Sequence, residues 1–365
     1  MSEIASPVSA SQHRVLWMDW VRGLCVVLVV LHHVTRQLST ELSGSGIEIV
    51  AEAWESIDFV LTPIRIPLFF VVSGVLASSA LVGNGTKVAR RYVIPLYLYL
   101  LWSILLATRE VVTLFGNADV SDTTGAIIAE LVFVCSGYWY LCALPLYFLV
   151  CRMLVRVSGF WVIVIGLLLY VVAQFLRSPI NEFVAQFTDQ SSLVASVIQN
   201  FGFFALGSRF SAFIKQFQRV SQPAGIKVGS LAAYALGILA MYFFPVWPLG
   251  LFCSLIGVCL GIVSTQCFVK GGFFTSTVCR IGAQTLPIYV LQFFFISMLS
   301  VAWSKFGESL ASGPQIIVWF YPAFVTLFIV GLSLAIHAFL LRLGLRVLFV
   351  PPDALVSFVA KRFVS

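Results

Sequence analysis

The sequence predicts an all-α polytopic membrane protein, a bundle of ten transmembrane helices with N- and C-termini cytoplasmic. Three observations carry that prediction. Of the 365 residues, 60% are apolar and only 10% are charged, and the mean hydropathy of +1.01 lies far outside the range of soluble globular chains. Apolar runs of about 20 residues, the length that spans a bilayer as helix, recur from Trp17 almost to the C-terminus. Basic and acidic residues also sort into alternate loops, as the retention of lysine and arginine on the cytoplasmic side requires.

In chain order, the first run covers 17–37. It carries Asp19, Arg22, His32 and His33 and has no small-residue cleavage site, so it reads as a retained helix and not as a signal peptide. The second, 57–82, contains Pro63 and Pro67; the third, 90–114, contains Pro95; the fourth, 138–156, contains Pro145. The fifth to eighth cover 159–177, 193–214, 228–245 and 247–268. The ninth, 284–304, holds Pro287, and the tenth, 315–343, holds Pro322. Prolines free backbone groups that neighbouring helices or a water-filled cavity must satisfy. The expectation is a set of interrupted helices around a central polar cavity, with simple packing kinks as the alternative.

With the N-terminus inside, 16 of the 22 basic residues fall at inner ends and loops, from Arg14 and Lys87 to Lys361 and Arg362, while twelve of the fifteen acids, Asp58 among them, fall on the outer side. Losing or adding one helix would scramble that separation, so the number of spans is even. The net charge of +7 is explained by this topology, and no nucleic-acid partner is expected. Residues 1–16 form a polar cytoplasmic tail, 17–345 the transmembrane domain and 346–365 a basic cytoplasmic tail. The longest outer loop, about 36–56, is too small to fold alone, so any activity lives among the helices. A second outer segment, 115–137, is apolar enough to lie as a short helix at the interface. Eight cysteines, mostly within apolar runs and without a CxxC pair, read as small buried hydrophobes, and no metal is expected.

Ionisable residues at membrane depth are expensive and mark working sites, which singles out the first run. Eleven helical steps of 100° bring Arg22 and His33 to within about 20° of one face, roughly 16 Å apart along the axis. Imidazole is the side chain suited to take a proton near neutral pH. Guanidinium binds planar oxyanions with two parallel hydrogen bonds. Two roles are open for Arg22, an anion clamp and a structural i, i+3 pair with Asp19, and the two are compatible. His32 points about 80° away from the Arg22 face and reads as structural.

Four further patterns accompany this pair. The second run ends in Pro67-Leu-Phe69-Phe70-Val-Val-Ser73-Gly74; then come Lys87-Val-Ala-Arg90-Arg91-Tyr-Val-Ile-Pro95 and Tyr138-Trp139-Tyr140-Leu141; near the end lies Ile281-Gly282-Ala-Gln284-Thr285-Leu286-Pro-Ile288-Tyr289-Val-Leu-Gln292. Together with Arg22-x10-His33 they resemble the acyltransferase-3 family of integral membrane acyltransferases, from about Trp17 to Gln292. The resemblance implies transfer of an acyl group, usually acetyl from cytoplasmic acetyl-coenzyme A, to a hydroxyl of an envelope glycan or glycolipid such as a polysaccharide sugar or a trehalose mycolate.

It implies His33 as base with Arg22 and Asp19 beside it, and Arg22, Lys87, Arg90, Arg91 and Ser73 on the cofactor side. Trp139, Tyr140, Tyr289 and Gln292 fall on the acceptor side. Each has a plainer reading: inner-loop cations for Lys87, Arg90 and Arg91, close helix packing for Ser73-Gly74, an aromatic belt for Trp139 and Tyr140. The family pattern ends in His where this chain has Gln292, which hydrogen-bonds but takes no proton near neutrality, so a positioning role is expected there. The protein is thus expected in the inner cell membrane, among membrane lipids, with an extracytoplasmic partner protein needed for hand-over beyond the membrane. A proton-coupled exporter or flippase of a glycolipid or polysaccharide unit is the rival class, since it too would use broken helices and intramembrane His and Arg.

Overall fold

The computed structural model describes residues 10–42, 48–114, 131–187, 191–269, 272–311 and 315–362. They are helical throughout, with no strand among them. The helices are α1 (Ala10–Leu42), α2 (Glu48–Leu81), α3 (Thr86–Leu114), α4 (Trp139–Met153), α5 (Gly159–Val184), α6 (Val194–Arg209) and α7 (Ser211–Arg219). They continue as α8 (Ala224–Phe243), α9 (Trp247–Phe268), α10 (Phe273–Ala283), α11 (Thr285–Ala311), α12 (Gln315–Arg342) and α13 (Asp353–Lys361).

Each of the ten expected spans falls on a helix. Eight are long and apolar enough to cross a membrane; the other two, α4 and α6, are shorter at 15 and 16 residues. The prolines do not interrupt them as expected: Pro63 and Pro67 lie inside continuous α2, Pro95 inside α3, Pro145 inside α4 and Pro322 inside α12, while Pro287 sits in the first turn of α11, where no intrahelical N–H is needed. The expected interfacial helix at 115–137 lies mostly outside the described residues. All eight cysteines are free thiols.

The described residues form two compact units, the first from 1–72 with 215–334, the second from 73–214 with 335–365. In the first, α1 is the organising element. Val26, Val30 and Val34 recur every fourth residue, hence on one face, and pack on Ile288 of α11 and on Ile329 and Val330 of α12. Farther along, Leu38 and Leu42 meet Val50 and Ala51 of α2 and Val318 of α12.

Near its N-terminal end α1 approaches α10 more closely than side chains permit. A Cβ on Gly282 would overlap the carbonyl oxygen of Asp19, and one on Gly23 would overlap that of Val278 and lie 3.0 Å from the Gly282 amide nitrogen. This explains the glycine of the Ile281-Gly282 pattern: it lets α1 and α10 touch backbone to backbone.

In the second unit, α5 pairs with α6 and α3 with α4. Residues 346–348 form a 3₁₀ turn, and α13 then lays Val356 and Ala360 on Ala89 and Val93 of α3. Tyr97 and Trp102 of α3 donate to the carbonyls of Val347 and Leu348, each at 2.8 Å. The segment expected as a tail therefore has a packed face.

Gly282→Ala is expected to lower the melting temperature of the detergent-solubilised protein, at a cost of about 1–3 kcal/mol from overpacking. Gly229→Ala and Gly331→Ala, where an added Cβ meets nothing within 4 Å, should leave it unchanged or raise it slightly. Equal shifts in all three, measured by thermal unfolding, would refute the close approach.

Candidate functional site

Two polar layers lie along α1 in the first unit. At the lower one Arg22 is held from two helices. Its Nη1 donates to Asp19 Oδ1 at 3.3 Å, and its Nη2 donates to Thr285 Oγ1 at 2.8 Å. The Asp19 to Arg22 pair is therefore real, and it leaves most of the guanidinium's five N–H donors without a partner among the described residues. Both side chains keep about a fifth of their surface exposed, 22% for Arg22 and 20% for Asp19. In the Gly282-x-x-Thr285 pattern the glycine thus admits α1 and the threonine receives its arginine.

α1 and α11 run parallel in an almost constant register, which places the second layer. Arg22 meets Thr285, His33 meets Phe293 ring to ring at 4.8 Å, and Glu41 accepts from Ser300 Oγ at 2.8 Å. His33 is half-buried; its ring touches Phe293 edge-on and lies 5.0 Å from that of His32. Neither of its nitrogens has a hydrogen-bond partner among the described residues. A ring held by aromatic contact with its lone pair unengaged is suited to accept a proton from something that arrives later.

Beside it lies a set that the helical period of one segment cannot assemble. Asp58 of α2 accepts from Arg65 Nη1 on Oδ1 at 2.5 Å and contacts His32 Nδ1 through Oδ2 at 2.9 Å. Arg65 is 4% exposed and also donates to Thr62 Oγ1 at 3.2 Å. Expected among the acids of the outer side, Asp58 lies in the third turn of α2, which starts at Glu48. His32, expected to be structural, is the partner of that carboxylate. A signal is present in the sequence: Arg65 is an ionisable residue inside an apolar run, and seven helical steps from Asp58 bring the two within about 20° of one face.

Of the remaining residues in this unit, Tyr289 is buried with its ring 6.3 Å from Phe293. Gln292, next to Phe293, is fully buried, and neither its Oε1 nor its Nε2 finds a partner among the described residues. Each unmatched buried polar group of this kind costs about 1–3 kcal/mol.

In the second unit, Ser73 Oγ and Tyr140 Oη lie 2.6 Å apart, so two expected site residues from different helices meet directly. Gly74 packs on α6, where an added Cβ would overlap the Phe204 carbonyl oxygen and lie 2.7 Å from the Ser208 nitrogen. Close packing is thus what the Ser73-Gly74 pair does, with the serine hydroxyl tied to the tyrosine. Arg91 donates to the Leu76 carbonyl at 2.5 Å. Arg152 serves the same end of α2, donating to the carbonyls of Leu81 and Gly83 at 2.9 Å each, groups that a helix C-terminus leaves unmatched. Lys87 and Arg90 are exposed and have no partner among the described residues, and Trp139 is half-buried at the start of α4.

If the Ser73 to Tyr140 bond stabilises this unit, Ser73→Ala and Tyr140→Phe should be non-additive by about 0.5–1.5 kcal/mol in a double-mutant cycle of unfolding free energies. Strict additivity would show that the two hydroxyls are not coupled.

Comparison with known proteins bears on both units. The family model described as an acyltransferase domain matches residues 15–338, most of the chain. The inner membrane protein YcfT of Escherichia coli (strain K12) is 25% identical over 372 aligned residues, covering 94% of this chain and 97% of that protein. No solved structure matches.

Proposed function

The chain belongs to the acyltransferase-3 family of membrane proteins, and from that premise we propose that it is an O-acyltransferase. It takes an acyl group, acetyl by the family's usual chemistry, from cytoplasmic acetyl-coenzyme A and delivers it to a hydroxyl of a cell-envelope glycan or glycolipid. The location we propose is the inner membrane, which is the location in the E. coli relative's name. Both termini inside is supported by the separation of basic from acidic loops.

The observation that carries the reading is the state of Arg22 and His33 on one face of α1. Transfer from a thioester to an alcohol needs a base for the hydroxyl proton and a donor for the charge that develops on the carbonyl oxygen. His33 has an unengaged imidazole with which to do the first. Arg22, oriented by Asp19 and Thr285, has unmatched N–H groups for an anion such as a coenzyme phosphate, about 16 Å along α1 from His33. Tyr289 and Gln292 lie near Phe293, and the unmatched amide of Gln292 is suited to orient a hydroxyl or a water. In the second unit, Lys87 and Arg90 are exposed cations that suit phosphate, while Arg91 is committed at least partly to the Leu76 carbonyl. Ser73, bonded to Tyr140, acts in this reading as a packing residue, and Trp139 and Tyr140 as candidates for acceptor contact.

The purified protein in liposomes should release coenzyme A from acetyl-coenzyme A when envelope lipid or glycan extract is present. His33→Ala should reduce that release about 10²- to 10⁴-fold with melting temperature retained. A protein that binds no coenzyme A and instead moves glycolipid across the liposome bilayer would be an exporter, and the acyltransferase reading would fail.

A further inference from the structure

We propose that His32, Asp58 and Arg65 form a proton-holding group that serves His33, with all three acting as positioning residues for the transfer reaction. The inference rests on the acyl-transfer reading above. Its basis is the division of the Asp58 carboxylate. One oxygen takes Arg65 and the other takes His32, whereas an ion pair needed only to neutralise buried Arg65 would engage the arginine alone. With Nδ1–H donating to Oδ2, the imidazole of His32 keeps its lone pair on Nε2, and Nε2 has no partner among the described residues. A carboxylate that fixes a tautomer and stabilises the imidazolium form is the arrangement by which an acid and a histidine share a proton's charge. The ring so prepared sits 5.0 Å from that of His33, tilted by 58°, within reach of a direct or singly water-bridged transfer.

The step balances without a further reactant. The acceptor hydroxyl oxygen bonds to the thioester carbonyl carbon as its proton passes to His33, and onward to Nε2 of His32, whose positive charge then faces Asp58. The C–S bond breaks, and the proton returns by the same route to the leaving thiolate, giving ester and thiol.

Few other charges bear on His32. On α1 these are His33 and Arg36, one turn away, and on α2 Asp58 and Arg65. Glu55, one turn before Asp58, accepts from the Ser39 hydroxyl farther along α1. Of the other helices in this unit, α9 and the part of α12 that belongs to it carry none. α8 has Lys227, two turns before the Tyr234 that bonds Val60 of α2; α10 has Arg280, beside its contact with α1 at the lower layer; α11 has Lys305 and Glu308, three turns or more beyond Phe293; and the part of α7 in this unit has Lys215 and Arg219, next to the Gln218 that bonds Thr265 of α9. Asp58 is therefore the acid placed to receive the proton's charge.

The test measures coenzyme A release from acetyl-coenzyme A, in liposomes of envelope lipid extract, from about pH 5 to 9. His32→Gln keeps the Asp58 to Arg65 pair intact and should fold; Asp58→Asn strands a buried arginine, so Asp58→Asn/Arg65→Gln is made as well. In His32→Gln and the double variant, kcat should fall by about tenfold to a hundredfold with KM for the thioester unchanged. In the double variant the acid-side limb of the rate profile should also move to lower pH by about one unit or more, because the carboxylate facing the imidazolium is gone. Adding His32→Gln to the double variant should cost little more. Variants that lose only melting temperature while keeping wild-type kcat and profile would overturn the proton-holding role and leave the acyl-transfer reading standing. A wild-type protein that releases no coenzyme A overturns that reading, and this inference with it.

Discussion

The backbone contact between α1 and α10 is the constraint on which the rest of the first unit depends. Two helices normally lie 8–10 Å apart, held off by their side chains. Here Gly23 and Gly282 remove those side chains at the crossing, and Asp19 presents its carbonyl to the space a Cβ would fill. That approach brings the start of α11, which follows closely after α10 ends at Ala283, within hydrogen-bonding range of α1. Arg22 then reaches Thr285, and the parallel register carries the match upward to His33 and Phe293. A methyl group at position 282 would therefore act on the His33 to Phe293 contact some 16 Å away along the helix, by shifting α11 against α1.

The second constraint is electrostatic. An arginine buried to the degree of Arg65 is tolerated in a membrane helix only with its charge matched. Asp58 matches it from two turns away on the same helix, so the pair can form as α2 itself forms, without waiting for another element. His32 joins from α1 and so ties the pair to the helix that carries Arg22 and His33. The side chains that pair with Arg22 and stand beside His33 fall into a lower layer at Asp19, Arg22 and Thr285, and an upper one at His32, His33, Asp58 and Arg65. Between them Val26 and Val30 of α1 pack against Ile288, Ile329 and Val330.

Much of this is legible in the sequence, for a physical reason: hydrophobic length and loop charge are one-dimensional signals of a one-dimensional constraint, the bilayer. The ten helical positions follow from them, and the common face of Arg22 and His33 follows from helical period alone. The prolines mislead, because a proline displaces a single backbone bond and α2 continues through both Pro63 and Pro67. The set at Asp58 escapes a sequence reading because an acid near a span's edge is assigned to the loop by its charge. His32 escapes it because its angle is measured against Arg22, when the relevant partner is on another helix. Which residues of different helices meet, as Ser73 meets Tyr140, is not encoded in the period of either.

Gln292 joins burial to function. A glutamine inside an apolar seam can lower its free energy by bonding to a neighbour, by drawing in water or by meeting a ligand. Thr326 and Ser333 of α12, one on each side of the packed Ile329 and Val330, are likewise buried with hydroxyls unmatched among the described residues, and Gln292 stands one turn beyond Ile288 of the same cluster. Three unmatched polar side chains flanking one apolar patch would together cost several kcal/mol if left dry, a large fraction of a domain's net stability. The set lies at the seam of α11 and α12, next to the phenylalanine whose ring His33 touches, so its cost falls beside the upper polar layer.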